Sequence, residues 1–453
     1  MTVIELGDVT SGSEQPPPAD LPRGYDRRLV RRAGAALIAA ACLVTIAASA
    51  PPEPSHALRT LWSIPFDPAD RYSVTPDTVY AARQDNLGRL EARDLATGAT
   101  RWVVDMPDPT AWPTFVPAAG VVLIPYGRVA KEVKAPDGST YFNEIYRDTI
   151  ALDARTGAQL WRRPGEIYLA TDDGVVLSDR DLDADEVRAM RLVRIRDGAM
   201  VWARADLHAQ RVTAGGPDPA RPDLLVTVAP AGAVEILRLA DGFRVSAGRV
   251  IWNVGSPDQG TYTDVFVDGA RLYVRVAGQN SSALTAYALD TFRRIWRING
   301  TDAVAAYPCG TLVCGIEQYG FAAYDPATGA IRWRNREIRN AWPASSGRLV
   351  ADGGRLVADS VDHWTLIDEA TGRLVADLGG GSPVPDLDGR VAYLVRATTA
   401  PRGRTAVSRI DSDSGTVGVR GAIDWVTDGS CQATGDHLVC ATVAGQLVVT
   451  LVG

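Results

Sequence analysis

From Tyr72 onward the chain alternates short runs of apolar and β-branched residues with clusters of Gly, Asp and Pro. YSVTPDTVYAA, GVVLIPYG, GVVLSD, DLLVTVAP, ARLYVRVAG, GRLVADGGRLVADS and RVAYLVRA are such runs, and no convincing amphipathic helix lies between them. The pattern predicts an all-β fold. Its organising unit is a hairpin: ALDARTGAQLW runs from Ala151 to Trp161, ARDLATGATRW from Ala92 to Trp102, and AYDPATGAIRW from Ala323 to Trp333. Each reads as a short alternating strand, a turn carrying Asp and Thr-Gly, and a second strand that reaches Trp four residues past the glycine.

The residue types fit that geometry. Asp94, Asp153 and Asp325 stand where a carboxylate can accept backbone N–H groups of the turn, and Gly98, Gly157 and Gly329 can take the positive φ that a turn followed by a bulge requires. Ala92, Ala151 and Ala323 leave room for a large neighbour, and Trp102, Trp161 and Trp333 are rings able to fill it. The motif is read as packing between repeats.

The pattern A-x-D-x-x-T-G-x-x-x-W resembles the tryptophan-docking repeat of the PQQ-like, quinoprotein-type β-propellers. Partial copies are VRIRDGAMVW around Gly198, LRLADGFRV around Gly242, AYALDTFRRIW ending at Trp296, LIDEATGRLV around Gly372 and RIDSDSGTV around Gly415; the Gly242, Gly372 and Gly415 copies lack the Trp. Turn positions 98, 157, 198, 242, 291, 329, 372 and 415 recur at roughly 40 to 60 residues, the period of four-stranded blades. The resemblance implies a closed β-propeller over residues 59–453. HALRTLWSIP, residues 56–65, looks like an outer strand without its inner partners, and the C-terminal IDWVTDGSCQATGDHLVCATVAGQLVVTL looks like inner strands without an outer one. Joined in one blade they would remove the open edge. Eight blades are usual in the family and are preferred; the literal count is nine, and it stays open.

Length then changes the domain count rather than the fold. A chain of 453 residues would ordinarily hold two or three domains, but a repeat array uses that length in one ring. The composition, 46% apolar and 22% charged with a net charge of -7, suits a folded body and gives no reason to expect nucleic acid or an anionic lipid surface as partner.

Residues 1–32 lack hydrophobic periodicity, carry Pro16-Pro17-Pro18, and are expected to form a disordered cytoplasmic tail. Arg23, Arg27, Arg28, Arg31 and Arg32 then crowd against the uncharged stretch 33–50. Eighteen residues at a 1.5 Å rise span roughly 27 Å, enough for a bilayer core. The arginines precede the segment, so residues 33–50 are expected to be one transmembrane signal anchor, with 51–58 a linker and the propeller extracytoplasmic. A peptide cleaved after Ala48-Ser49-Ala50 and a lipoprotein signal at Cys42 are the alternatives; all three export the propeller.

Four further cysteines fall in two local pairs. The separations of Cys309 from Cys314 and of Cys431 from Cys440 place each pair across a two-residue turn, centred on Thr311-Leu312 and Gly435-Asp436, and two disulfides follow in an oxidising compartment. Zinc is the alternative, poorly served by C-x4-C and C-x8-C without clustered histidines. Asp137-Gly138 reads as the tip of a lengthened hairpin, an ornament or a binding element.

A search for chemistry returns little. His56, His208, His363 and His437 are isolated, and Asp181, Asp183, Asp185 and Glu186 lack the spacing of a calcium loop, so a solvated charged hairpin is the expectation there. The PQQ-dependent dehydrogenases of the resembled family carry an adjacent-cysteine disulfide, calcium ligands and an aspartate base; this chain has no adjacent cysteines. No catalytic, cofactor-binding or metal residue is named, and no cofactor is expected. The favoured expectation is a membrane-anchored, non-enzymatic binding or scaffold propeller whose partner is another envelope protein or a cell-wall ligand. The alternative is an exported oxidoreductase that uses PQQ and calcium, by fold-level analogy alone.

Overall fold

Alternation of apolar and polar residues turns each repeat into one four-stranded antiparallel sheet, and nine such sheets form the propeller of the computed structural model. The structure describes residues 58–453 apart from 85–87, 107, 109–110, 135–139, 217–220, 253–261, 278–281, 301–302, 318–319, 346, 354–362 and 388. The tail, the segment 33–50, all of the 51–58 linker but Leu58, His56 and the Asp137-Gly138 tip therefore lie outside the described residues. Among the described residues no helix is long and apolar enough to cross a membrane.

In chain order the blades occupy residues 71–105, 114–164, 166–204, 211–249, 262–299, 303–335, 340–380 and 382–424, and the ninth is built from 426–451 with 59–65. Nine, the literal count, is the number observed, because every weak copy of the repeat heads a complete blade. The ninth blade closes the ring as the terminal fragments require. The strand Arg59–Pro65 pairs antiparallel with Gln446–Leu451, from Arg59 opposite Leu451 to Pro65 opposite Gln446, and the Phe66 N–H donates to Gly445 O at 2.9 Å.

The core lies between the sheets, where the two faces of neighbouring blades interdigitate. A typical seam buries Val116, Val121, Leu123, Ala151 and Trp161 of blade 2 against Val175, Leu177, Val193 and Ile195 of blade 3. Second strands are nearly fully buried, as in Val79–Ala82 and Val121–Ile124, and fourth strands alternate exposed residues with a buried ring. Strand direction also sorts the turns. Second-to-third turns and connections between blades share one end of the sheets, and the Thr-Gly turns lie at the other.

Candidate functional site

The docking hairpin is the commonest chemical feature, so its geometry comes first. Asp153 Oδ1 accepts the backbone N–H groups of Arg155 (3.1 Å) and Thr156 (2.8 Å) and the Thr156 hydroxyl (2.8 Å), while Gly157 turns back at φ +72°. Asp94 and Asp325 repeat this. Hydrogen bonds from Arg101 and Thr97 hold the Asp94 carboxyl down at about 2, and that of Thr156 lowers Asp153. Ala92, Ala151 and Ala323 are fully buried and face the Trp of their own blade, pairing with Trp102, Trp161 and Trp333.

Each ring then reaches the next blade. The Trp161 indole N–H donates to Ile195 O at 2.7 Å, and its ring lies so close to Gly198 that a Cβ there would sit 2.7 Å from it. Trp102 docks in the same way on Ala154 O and Gly157, Trp202 on Leu239 O and Gly242, Trp296 on Pro326 O and Gly329, and Trp333 on Glu369 O and Gly372. Trp62 of the closing strand docks on Leu95 O and Gly98, which carries the pattern across the junction of the termini.

The seam between blades 4 and 5 inverts the pattern. Ser246 occupies the Trp place, and the glycine place of blade 5 is Phe292 at φ +51°, whose amide donates to Ala288 O at 2.9 Å. That is one residue beyond the expected 291: the Gly-to-Trp spacing is conserved when counted back from Trp296, and the missing glycine hid the register. The Phe292 ring is buried and lies where a Cβ on Gly248 would be 2.2 Å from it, so the large group has moved to the opposite side of the seam. Ala376 and Gly415, both small, meet between blades 7 and 8.

The cysteines lie at disulfide distance in their local pairs, with Cα separations of 5.7 Å for Cys309 and Cys314 and 4.2 Å for Cys431 and Cys440. Cys431 is directly opposite Cys440 around Gly435-Asp436. Cys309 instead faces Leu312, and Cys314 faces Tyr307, so the expected turn at Thr311-Leu312 is corrected to Gly310-Thr311 and this pair is diagonal. Gly310 at φ +63° permits it, and there the buried Glu369 carboxylate accepts the Thr311 N–H at 2.6 Å.

The acidic hairpin is an ion-pair network. Arg188 pairs with Asp181 at 3.1 Å, Arg180 contacts Asp185, and Glu186 lies 3.3 Å from His208. Lys131 reaches Asp183 at 2.6 Å from the ribbon Val121–Lys134 and Thr140–Asp153, which projects from blade 2 and exposes Tyr141 and Phe142. His363 lies 2.9 Å from Asp377. Among the described residues no group of His, Cys, Asp and Glu could hold a metal ion. No chemistry is routed through PQQ with calcium.

A cavity of about 440 Å³ lies at the ring closure, between blade 9 and blade 1. The connection from Phe66 to Tyr72 forms one wall, and Trp112, on the way into blade 2, forms another. The third is a bulge. Register in the first strand of blade 9 jumps from Val426 opposite Thr442 to Cys431 opposite Cys440, so residues 427–430 stand against Ala441 alone. Tyr72, its phenol pushed far up by burial and therefore a donor, bonds to Val439 O at 2.9 Å and to Ser430 O, and the Cys431–Cys440 pair fixes the base of the bulge. None of these cavity residues belongs to the repeat. The available signal was Trp112, one of the tryptophans standing outside the docking position.

Comparison with solved structures finds similar chains at low identity. BamB from Moraxella catarrhalis is 16% identical, with 87% of this chain and 100% of that one covered and a TM-score of 0.40. A eukaryotic initiation factor is 11% identical over 82% and 90%, with a TM-score of 0.50. A europium-containing methanol dehydrogenase is 14% identical over 86% and 84%, with a TM-score of 0.37. No curated protein sequence matches the chain. The family profile PQQ_2, described as outer membrane protein assembly factor BamB, matches residues 83–247 and 242–418, most of the propeller, and the chain belongs to that family.

Proposed function

We propose that this protein is a membrane-anchored, extracytoplasmic binding scaffold that holds another envelope protein or a cell-wall ligand. The observation that carries the reading is the division of labour among the aromatic residues. The docking tryptophans are consumed between blades, whereas Tyr141, Phe142 and Trp425 remain exposed on a projecting ribbon and at a blade entrance. Exposed aromatic side chains on a rigid frame suit protein recognition. The family description names an assembly factor, and a scaffold role for this chain is consistent with it. The anchor is residues 33–50, with the arginine-rich side in the cytoplasm.

Two measurements test this. A photo-cross-linking residue at Phe142, in the full-length protein in its membrane, is expected to trap a single envelope protein. Reconstitution with PQQ and calcium is expected to yield neither a retained quinone absorbance after gel filtration nor dye-linked alcohol oxidation. A stable quinone spectrum with turnover would overturn the reading.

A further inference from the structure

Several polar groups around the cavity at the ring closure are held by internal hydrogen bonds. Ser430 Oγ lies 2.6 Å from Thr427 O and 2.9 Å from Ala441 O. Gln432 donates through Nε2 to Tyr72 O and accepts the Val74 N–H, each at 3.1 Å, which ties the first strands of blades 9 and 1 together. Asp70 accepts from Arg83 at 2.7 Å and from the Gln84 N–H at 2.9 Å. The walls are thus satisfied from within and pre-shaped.

Two donors are left over. Arg71 and Trp112 both line the cavity, and neither the guanidinium nor the indole N–H has an acceptor among the described residues. A guanidinium in a concave, partly apolar setting recognises a carboxylate with paired hydrogen bonds better than it recognises a neutral amide. Beside these donors, Phe66 and the Trp112 ring supply an apolar floor.

The rim decides between a free small acid and a chain. Trp425 is 51% exposed and Val443 57%, and the Val443 N–H donates to Trp425 O at 2.8 Å, so the two stand together. They adjoin Thr427 and Thr442, which line the cavity. Exposed apolar residues therefore stand within two positions of residues that line the cavity. A small molecule confined to the cavity would leave that surface wet, whereas a segment that enters and continues outward covers it. Arg and Trp with an apolar surround is also the residue set that dominates protein interfaces.

We propose that this cavity receives an extended segment of a partner protein that presents a carboxylate beside an apolar side chain. Arg71 takes the carboxylate, Phe66 and Trp112 take the apolar group, and Trp425 with Val443 covers the segment as it leaves. This rests on the binding-scaffold reading and gives it a site and a chemistry.

The test uses full-length protein in detergent and an array of capped hexapeptides made in pairs, identical except that Asp or Glu in one is Asn or Gln in the other. Pairs that bind are measured again by fluorescence anisotropy. The acidic member is expected to bind at least tenfold more tightly; Arg71→Gln is expected to abolish that difference, and Trp112→Ala to weaken the acidic peptide at least fivefold. Arg71→Gln is expected to melt with the parent, since Arg71 is exposed, and Trp112→Ala to melt below it but to stay folded, since Trp112 is half-buried against Phe115. Equal binding within pairs, or discrimination that survives Arg71→Gln, overturns the site while leaving the scaffold reading intact. Phenylacetate or glucuronate binding through Arg71 as tightly as any peptide overturns the protein partner in favour of a small acid. Absence of any peptide binding overturns the inference outright, and if PQQ is retained instead, the scaffold reading falls with it.

Discussion

Replacing Trp161 by Ala removes a ring that is 5% exposed, its contact with Gly198 and its hydrogen bond to Ile195 O, all at one blade seam. Truncation of a large buried aromatic costs about 3 to 5 kcal/mol. The Ile195 carbonyl, buried beneath the ring in the parent, loses its donor with the ring, which adds about 1 kcal/mol. With a melting entropy of about 2.1 cal/mol/K per residue, a cost near 4 kcal/mol in a body of this size lowers Tm by roughly 5 °C if the ring unfolds as a unit. A repeat array that unfolds blade by blade would instead show an early, separate transition. Differential scanning calorimetry distinguishes the two, and Trp112→Ala is the control because it removes a ring that docks on no turn. A Trp161→Ala protein that melts with its parent would refute the reasoning, since the ring would then belong to a surface and not to a seam.

The inverted seam offers a double-mutant cycle: Phe292→Gly and Ser246→Trp are each expected to destabilise by about 1 to 4 kcal/mol, one by emptying the seam and the other by overfilling it, and the pair together to recover most of the loss in thermal melts. Non-reducing peptide mapping is expected to find Cys309 bonded to Cys314 and Cys431 to Cys440, each contributing on the order of 2 to 3 kcal/mol, with reduction lowering Tm; free thiols or a cross-pair would contradict this. Asp94 is held at about 2, below its unfolded value of 3.8, so its contribution is present above the unfolded value and is lost as pH falls towards 2. Melting temperature is expected to fall over that window, and less steeply in Asp94→Asn, which lacks the titrating group. N-terminal analysis of the membrane-bound protein is expected to find residues ahead of Ala33; a start after Ala50 would remove the proposed anchor.

The blades were legible because a propeller repeats one local solution. Asp153, Thr156, Gly157 and Trp161 lie within nine residues of each other, and the turn they form is closed by hydrogen bonds inside that span. The closing blade was also readable, since terminal fragments lacking complementary strands have one economical partner in each other. The Phe292 seam was misplaced by one residue because its defining glycine is absent, and only the ring contact with Gly248 reveals that the bulk crossed to the other blade. The diagonal pairing of Cys309 with Cys314 was likewise hidden, because an odd separation fixes the side of a strand but not where the turn begins.

The cavity was illegible for a deeper reason. Ser430 is separated from Arg71 and Trp112 by hundreds of residues and meets them only because the ring closes with the C-terminal strands beside the N-terminal ones. A repeat makes every seam alike, so it cannot mark one of them for a unique partner; that mark has to come from a departure from the repeat. Three departures converge at this seam: a bulge at residues 427–430, a tryptophan off the docking position, and an arginine with no acceptor among the described residues. The inverted Phe292 seam is also a departure, but there one large group replaces another and nothing is left over. By that distinction the closure junction is where the proposed partner segment has material to work with.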